Sequence, residues 1–361
     1  MVIVKSQLWR EDMESFEQEY SMKRMILKDV IPLKLPLCIS LEASNMCNFR
    51  CIMCYHGSAQ YAEASKPLQN MDMSLFDKCI CDIKQWCKKE KKKIKVMKLY
   101  SLGEPLIHPN IGDMVRVIKD ADICELLEIT SNASLLTNHT AEELVDNGLD
   151  IFRASIYSVN EIRNHEITQT SISPDSIKEK IIYMRQYRDK NGKSKPFISA
   201  KMIDSYSEEN QKFIEIYSQI VDEAYIDKIM DSPANKDTVE RYYKERAEKV
   251  REDISDKRLY KVRKACRYPF THMTVRSDGK VIVCCADWLQ KTVVGNVQRN
   301  SLEEIWNSKV LYDFRCMTLK TKGLGNSLCA QCDIPLRDFP EDDIDDFPLD
   351  KLQYWKEENT E

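Results

Sequence analysis

Three cysteines, Cys47, Cys51 and Cys54, stand with three and then two residues between them, directly after an apolar run over residues 35–41. A loop with that spacing can wrap three thiolates around one inorganic centre, and a [4Fe-4S] cube held by three protein ligands keeps one iron open to a further ligand. Structural zinc normally takes four ligands, and the nearest extra donor, His56, follows Cys54 too closely for finger or knuckle spacing. An iron-sulfur centre with an open iron is the expectation for this stretch, and zinc is the alternative.

The rest of the chain can support such a loop. At 361 residues, with 43% hydrophobic and 31% charged residues, it can bury one large domain and a smaller one. The net charge of −4 offers no general attraction to nucleic acid or anionic membrane, and no segment approaches the ~20 apolar residues of a membrane span. Residues 1–10 lack the charged start and apolar stretch of a signal peptide, so the fourteen cysteines read as thiols of a cytoplasmic protein rather than as a disulfide framework.

Residues 1–34 read as a helical lead-in, with Trp9, Met13, Phe16 and Tyr20 near helical spacing. From there short apolar segments at 35–41, 96–100, 126–130, 151–156, 197–203 and 224–229 alternate with helical patterns, the first of them capped by Ser74. This predicts about six parallel βα units in an α/β domain over 35–230, with a partial barrel and a doubly wound sheet both open. In either case the loops after the strands carry the chemistry. Gly103, Glu104 and Pro105 follow the second strand, Asn132 the third, Ser155 closes the fourth and Lys201 lies in the fifth. Asn132 and Ser155 serve equally as turn and cap residues, and Lys201 as an exposed strand lysine. Cys79, Cys81 and Cys87 fall in a predicted helix as small apolar fillers.

Residues 231–265 form a charged helical bridge to a second unit at 266–338. There a hairpin around Ser277-Asp278-Gly279, a turn at Gly295 and a capping box from Ser301 to Glu304 separate Cys266, Cys284, Cys329 and Cys332. Those four can enclose a metal centre completely, iron-sulfur or zinc. Cys285 and Cys316 are left over, and residues 339–361 read as an acidic tail.

The Cys47-Cys51-Cys54 motif resembles that of the radical S-adenosylmethionine (radical SAM) superfamily. So does Gly103-Glu104-Pro105, with Leu102 where the family's GGEP motif has its first glycine, and Met53 stands where an aromatic residue is common. The second unit resembles the SPASM/twitch extension. The resemblance implies a partial (β/α)6 barrel with a small C-terminal β-hairpin/helix iron-sulfur domain. It implies a SAM-binding [4Fe-4S] cluster on Cys47, Cys51 and Cys54, and SAM contacts from Met53, Gly103, Glu104, Pro105, Asn132, Ser155 and Lys201. One auxiliary [4Fe-4S] cluster on Cys266, Cys284, Cys329 and Cys332 is implied because no cysteine follows Cys332. A one-electron donor such as flavodoxin or ferredoxin completes the set. The implied chemistry is reductive SAM cleavage to a 5′-deoxyadenosyl radical, hydrogen abstraction, and oxidation of a carbinol or similar C–H centre in a sugar-like or aminocyclitol-like substrate. Asp287 is a candidate base, with a surface position as its plainer reading. Alternatives are epimerisation with Cys316 as hydrogen donor, ribosomal-peptide maturation, and a non-enzymatic metal-binding scaffold. Cys316 is preferred to Cys285 because adjacent strand residues point to opposite faces.

Overall fold

Period-two alternation in six parallel strands decides how this sheet is used. The computed structural model describes residues 25–57, 61, 67–229 and 238–352. Strands β1 (Cys38–Leu41), β2 (Ile94–Lys98), β3 (Cys124–Ser131), β4 (Ile151–Ile156), β5 (Phe197–Ile203) and β6 (Glu223–Asp227) pair in sequence order, every pair parallel. Helices α1 (Leu27–Val30), α2 (Met73–Glu90), α3 (Ile111–Ala121), α4 (Asn138–Asp146), α5 (Glu161–Thr168), α6 (Pro174–Lys190) and α7 (Glu209–Tyr217) precede or connect them. The sheet is an open α/β partial barrel, and the βα alternation expected from the sequence is present with edges displaced by a few residues. One cap differs: Asp72, not Ser74, caps α2, because its carboxylate accepts the Ser74 N–H at 2.8 Å.

Ile39 and Leu41, Met97 and Leu99, Leu127 and Ile129, Phe152 and Ala154, and Ile198 and Ala200 point to the helix side and build one continuous core. Parallel strands covered on both faces read as unbroken apolar runs. Here the other parity is polar: Ser40, Lys98, Glu128, Arg153, Ser199 and Lys201 line the concave face. Burial of the convex set stabilises at ~25 cal/mol per Å2 of apolar surface, which holds the polar set in place without a second helix layer.

The hairpin unit does not form a sheet of its own. After α8 (Thr238–Tyr243), α9 (Ala247–Asp256) and α10 (Tyr268–Thr271), strand β7 (His272–Val275) pairs parallel with β1, and β8 (Lys280–Ile282) and β9 (Val293–Asn296) follow antiparallel. The order is β6-β5-β4-β3-β2-β1-β7-β8-β9. Gly279, at φ +82°, makes the hairpin turn, and the Ser301–Glu304 capping box opens α11 (Leu302–Trp306), followed by α12 (Lys309–Thr321).

The acidic tail is packed as far as it is described. Ile344, Phe347 and Leu352 are buried with Leu27, Ile31 and Phe270, while Asp345 pairs with Lys322 at 2.7 Å and Asp342 with Arg267 at 3.3 Å. The expected contacts of Trp9, Met13, Phe16 and Tyr20, and residues 353–361, lie outside the described residues. Among the described residues no helix is long and apolar enough to cross a membrane.

Candidate metal and substrate site

The cysteine loop leaves the C-terminal end of β1 and is tied down by backbone. Arg50 N donates to Thr168 O at 3.1 Å and Ile52 N to Ile167 O at 2.9 Å, so the end of α5 fixes the loop. Burial pushes the thiols up, to about 12 for Cys47 and about 11 for Cys54. The Cys51 thiol is raised by burial and then by Cys54 and Cys47. Among the described residues no three His, Cys, Asp or Glu side chains converge tightly enough to hold a single metal ion. Three thiols without a fourth ligand suit an iron-sulfur centre with one open iron better than a structural zinc, which normally takes four ligands.

Gly103 and Glu104 lock against this loop. A Cβ on Gly103 would lie 2.1 Å from Ser44 O and 2.7 Å from Met46 O, so close approach, not backbone dihedral, requires glycine here. Glu104 N donates to Met46 O at 2.7 Å. The buried Glu104 carboxylate accepts from Ser131 Oγ at 2.7 Å, Asn132 N at 2.8 Å and Leu106 N at 3.0 Å. Burial raises its pKa and those donors lower it. Pro105 opens a buried turn. Asn132 Nδ2 donates to Asn48 Oδ1 at 3.0 Å, so this side chain orients the cysteine loop itself. Met53 packs between the two apolar clusters beside the loop. Ser155 lies on the concave face opposite Lys201, whose ammonium pairs with Asp227 at 2.9 Å rather than standing free. Gly103→Ala is expected to cost about 1–3 kcal/mol by overpacking the loop, read as a lower urea midpoint at unchanged slope. An unchanged midpoint would mean that the Ser44–Met46 backbone gives way freely.

In the second unit Cys266 is raised by burial, then by Asp338, and also by Cys332 and Cys329, while Cys284 senses Cys266 and Cys332. Arg263 clamps Cys329 and Cys332, donating to Cys329 O, to Cys332 O at 2.8 Å and to Lys322 O at 2.8 Å. No spacing rule pointed to this arginine. Tyr55, Tyr61 and Trp288 form an aromatic wall between the two cysteine units, with Tyr55 and Trp288 stacked at 6.3 Å. Tyr55 Oη and His56 Nε2 both donate to Leu102 O, at 2.8 and 2.9 Å, and burial lowers His56 to about 4, leaving it neutral.

Two residues proposed for catalysis are placed differently from expectation. Asp287 is not at the surface: it is fully buried, and its carboxylate accepts from Lys291 N at 2.8 Å, Thr292 N at 2.6 Å and Thr292 Oγ1 at 2.8 Å. Those bonds fix the turn into β9 and leave no mobile base. Cys316 lies in α12, half-buried against the Phe270–Phe347 cluster and bonded to Tyr312. The reason for preferring it also fails. Cys284 and Cys285 lie beyond β8, in non-strand backbone, and their thiols bond each other instead of pointing to opposite faces. Cys285 instead approaches Lys98, Tyr268 and Cys38.

The concave face carries a charged network that the sequence reading passed over. Glu128 Oε1 accepts from Tyr100 Oη at 2.6 Å, Arg153 Nη1 at 2.8 Å and Thr130 Oγ1 at 3.1 Å. Burial alone would raise Glu128, but Arg153 and Lys98 hold it down to about 2. The signal was available as Lys98/Tyr100, Glu128/Thr130, Arg153/Ser155 and Ser199/Lys201, polar pairs at period two in strands otherwise apolar.

Residues 266–333 match the family model described as SPASM, an iron-sulfur cluster-binding domain. A tungsten-containing aldehyde ferredoxin oxidoreductase cofactor-modifying protein of Pyrococcus furiosus is 26% identical over 327 residues, 81% of this chain and 86% of that protein. The crystal structure of BtrN in complex with AdoMet and 2-DOIA superposes with TM-score 0.54 at 16% identity, covering 84% of this chain and 96% of BtrN. That of Streptococcus suis SuiB bound to S-adenosylmethionine gives TM-score 0.59 at 16% identity, covering 91% and 84%. The two superpositions concern the fold.

Proposed function

We propose that this chain, whose barrel and C-terminal iron-sulfur domain are those of the radical SAM superfamily with a SPASM extension, is a radical SAM enzyme oxidising a carbinol or similar C–H centre of a small polar substrate. The observation that carries this reading is the open three-cysteine loop at the mouth of a polar concave face. When bound, a [4Fe-4S] cluster with SAM supplies a hydrogen-abstracting 5′-deoxyadenosyl radical, and an auxiliary cluster supplies an electron acceptor.

The chain's own residues supply position. Cys47, Cys51 and Cys54 hold the first centre, and Cys266, Cys284, Cys329 and Cys332 the second. Glu104, held rigid by three donors, is the acceptor proposed for the SAM amino group. Gly103 and Pro105 shape that loop, and Met53 and Ser155 complete the SAM-facing rim. Tyr55, Tyr61 and Trp288 pack as one aromatic cluster joining the segment after Cys54 to the turn after Cys284. Asn132 and Lys201 act through others, Asn132 by orienting Asn48 and Lys201 through Asp227. This reading assigns no role to Asp287, whose carboxylate is taken up by three donors, or to Cys316, packed against the Phe270–Phe347 cluster. The SPASM match over residues 266–333 supports an auxiliary cluster able to accept an electron, as oxidation requires. The Pyrococcus furiosus relative, matching 81% of this chain, supports a second reading in which the substrate is another enzyme's cofactor.

Reduced, reconstituted protein given SAM and substrate in deuterated water should yield a product two hydrogens lighter, and Cys316→Ala should be nearly silent. A product of unchanged mass carrying one solvent deuteron would replace oxidation by epimerisation, with Cys285 rather than Cys316 as the thiol beside the concave face. Absence of 5′-deoxyadenosine from the reduced protein would overturn the enzyme reading altogether.

A further inference from the structure

The concave face carries three cations, Lys98, Arg153 and Lys201, and three carboxylates, Glu128, Asp227 and Glu223, the last in register with Ser199. Arg153 is matched by Glu128 at 2.8 Å and Lys201 by Asp227 at 2.9 Å. Lys98, in register with Glu128 on β2 and near the Tyr100 ring at 5.6 Å, has no carboxylate within 4.0 Å among the described residues. His272, on the same face of β7, is held neutral by burial. On the same face two donors are unused. Arg153 Nε and Ser199 Oγ are buried without a hydrogen-bond partner among the described residues, and Arg153 and Ser199 are register partners on β4 and β5. Ser199 is 2% exposed. Buried donors are ordinarily satisfied, so the two unmet donors call for one complementary group, with the Lys98 ammonium on the same face to favour an anionic one.

We propose that Lys98, Arg153 and Ser199 bind an oxyanion of the substrate, a carboxylate or a phosphate, and so select anionic substrates over neutral polyols. A planar guanidinium edge beside a hydroxyl donor suits two oxygens of one oxyanion, and Lys98 adds a point charge across Glu128. Glu128 does not oppose this, because three donors already converge on its Oε1 and Arg153 balances its charge. The inference rests on the concave face being the substrate site of the proposed enzyme, and it narrows the substrate to one carrying an acid group.

Calorimetric titration of anaerobic, reconstituted, SAM-saturated protein tests it, with inorganic phosphate, citrate and neutral myo-inositol as probes. At least one of the two anions is expected to bind, and myo-inositol is not. Lys98→Met should weaken anion binding tenfold or more, and Ser199→Ala several-fold. Phosphate against citrate tells which oxyanion the site prefers. Arg153→Met strips Glu128 of its close partner and can fail to fold, so Lys98→Met, which leaves the Arg153–Glu128 pair in place, decides. Equal anion affinity in wild type and Lys98→Met, no anion binding, or myo-inositol binding as tightly as either anion would overturn the proposal. So would loss of SAM affinity in Lys98→Met, which would assign the site to the SAM carboxylate. Anion binding is read without turnover, so its failure is distinct from a failure of SAM cleavage.

Discussion

Replacing Cys47, Cys51 and Cys54 together with alanine is expected to reduce 5′-deoxyadenosine formation to that of a protein-free control while leaving about half of about eight irons in the reconstituted protein. The three thiols are the only cysteines grouped at the end of β1, and their loop is held by the Arg50 and Ile52 backbone bonds to residues 167 and 168, not by the sulfurs alone. Loss of the centre should therefore spare the fold, and near-native circular dichroism is part of the expected result. The converse pair, Cys329→Ala with Cys332→Ala, should keep SAM cleavage measurable and stop product formation. Iron falling to nothing in the triple variant, or zinc found with about four irons in the wild type, would remove the auxiliary cluster from this account. Wild-type turnover in the Cys329/Cys332 variant would reduce that cluster to a structural part.

Arg276→Met is expected to destabilise the protein by about 3–5 kcal/mol, a large fraction of the ~5–15 kcal/mol that holds a domain folded. Arg276 and Glu42 form an ion pair at 2.8 Å with side chains 2% and 0% exposed. Glu42 also accepts from Leu102 N at 3.2 Å and Ser277 N at 3.1 Å, so one carboxylate ties the end of β1 to the Gly103 loop and to the β7–β8 turn. Burial pushes the Glu42 carboxyl up and Arg276 opposes it. Removing the cation leaves that charge buried and unmatched, which costs more than the intact pair contributes. Glu42→Leu combined with Arg276→Met should recover most of the loss, measured by chemical denaturation of the anaerobic protein. A loss below about 1 kcal/mol for Arg276→Met, the size of an exposed pair, would mean that water reaches the pair.

The cysteine spacing, the βα alternation, the Ser-Asp-Gly hairpin and the Ser301–Glu304 capping box were all legible in the chain as written, because each is settled by residues a few positions apart. Local spacing dictates which backbone groups can meet, and the structure repeats those elements with small shifts of edge. It could not say that β7 docks parallel on β1, since that pairing joins residues more than two hundred apart and depends on which edge of the sheet is left open. The burial of Asp287, the packing of Cys316 under the acidic tail and the clamp of Arg263 on Cys329 and Cys332 are of the same kind. Each is decided by what distant segments bring to it. The concave network lies between these cases: its polar alternation stood in the sequence, but only the curvature of the sheet turns Lys98, Glu128, Arg153 and Ser199 from four separate strand residues into one charged surface.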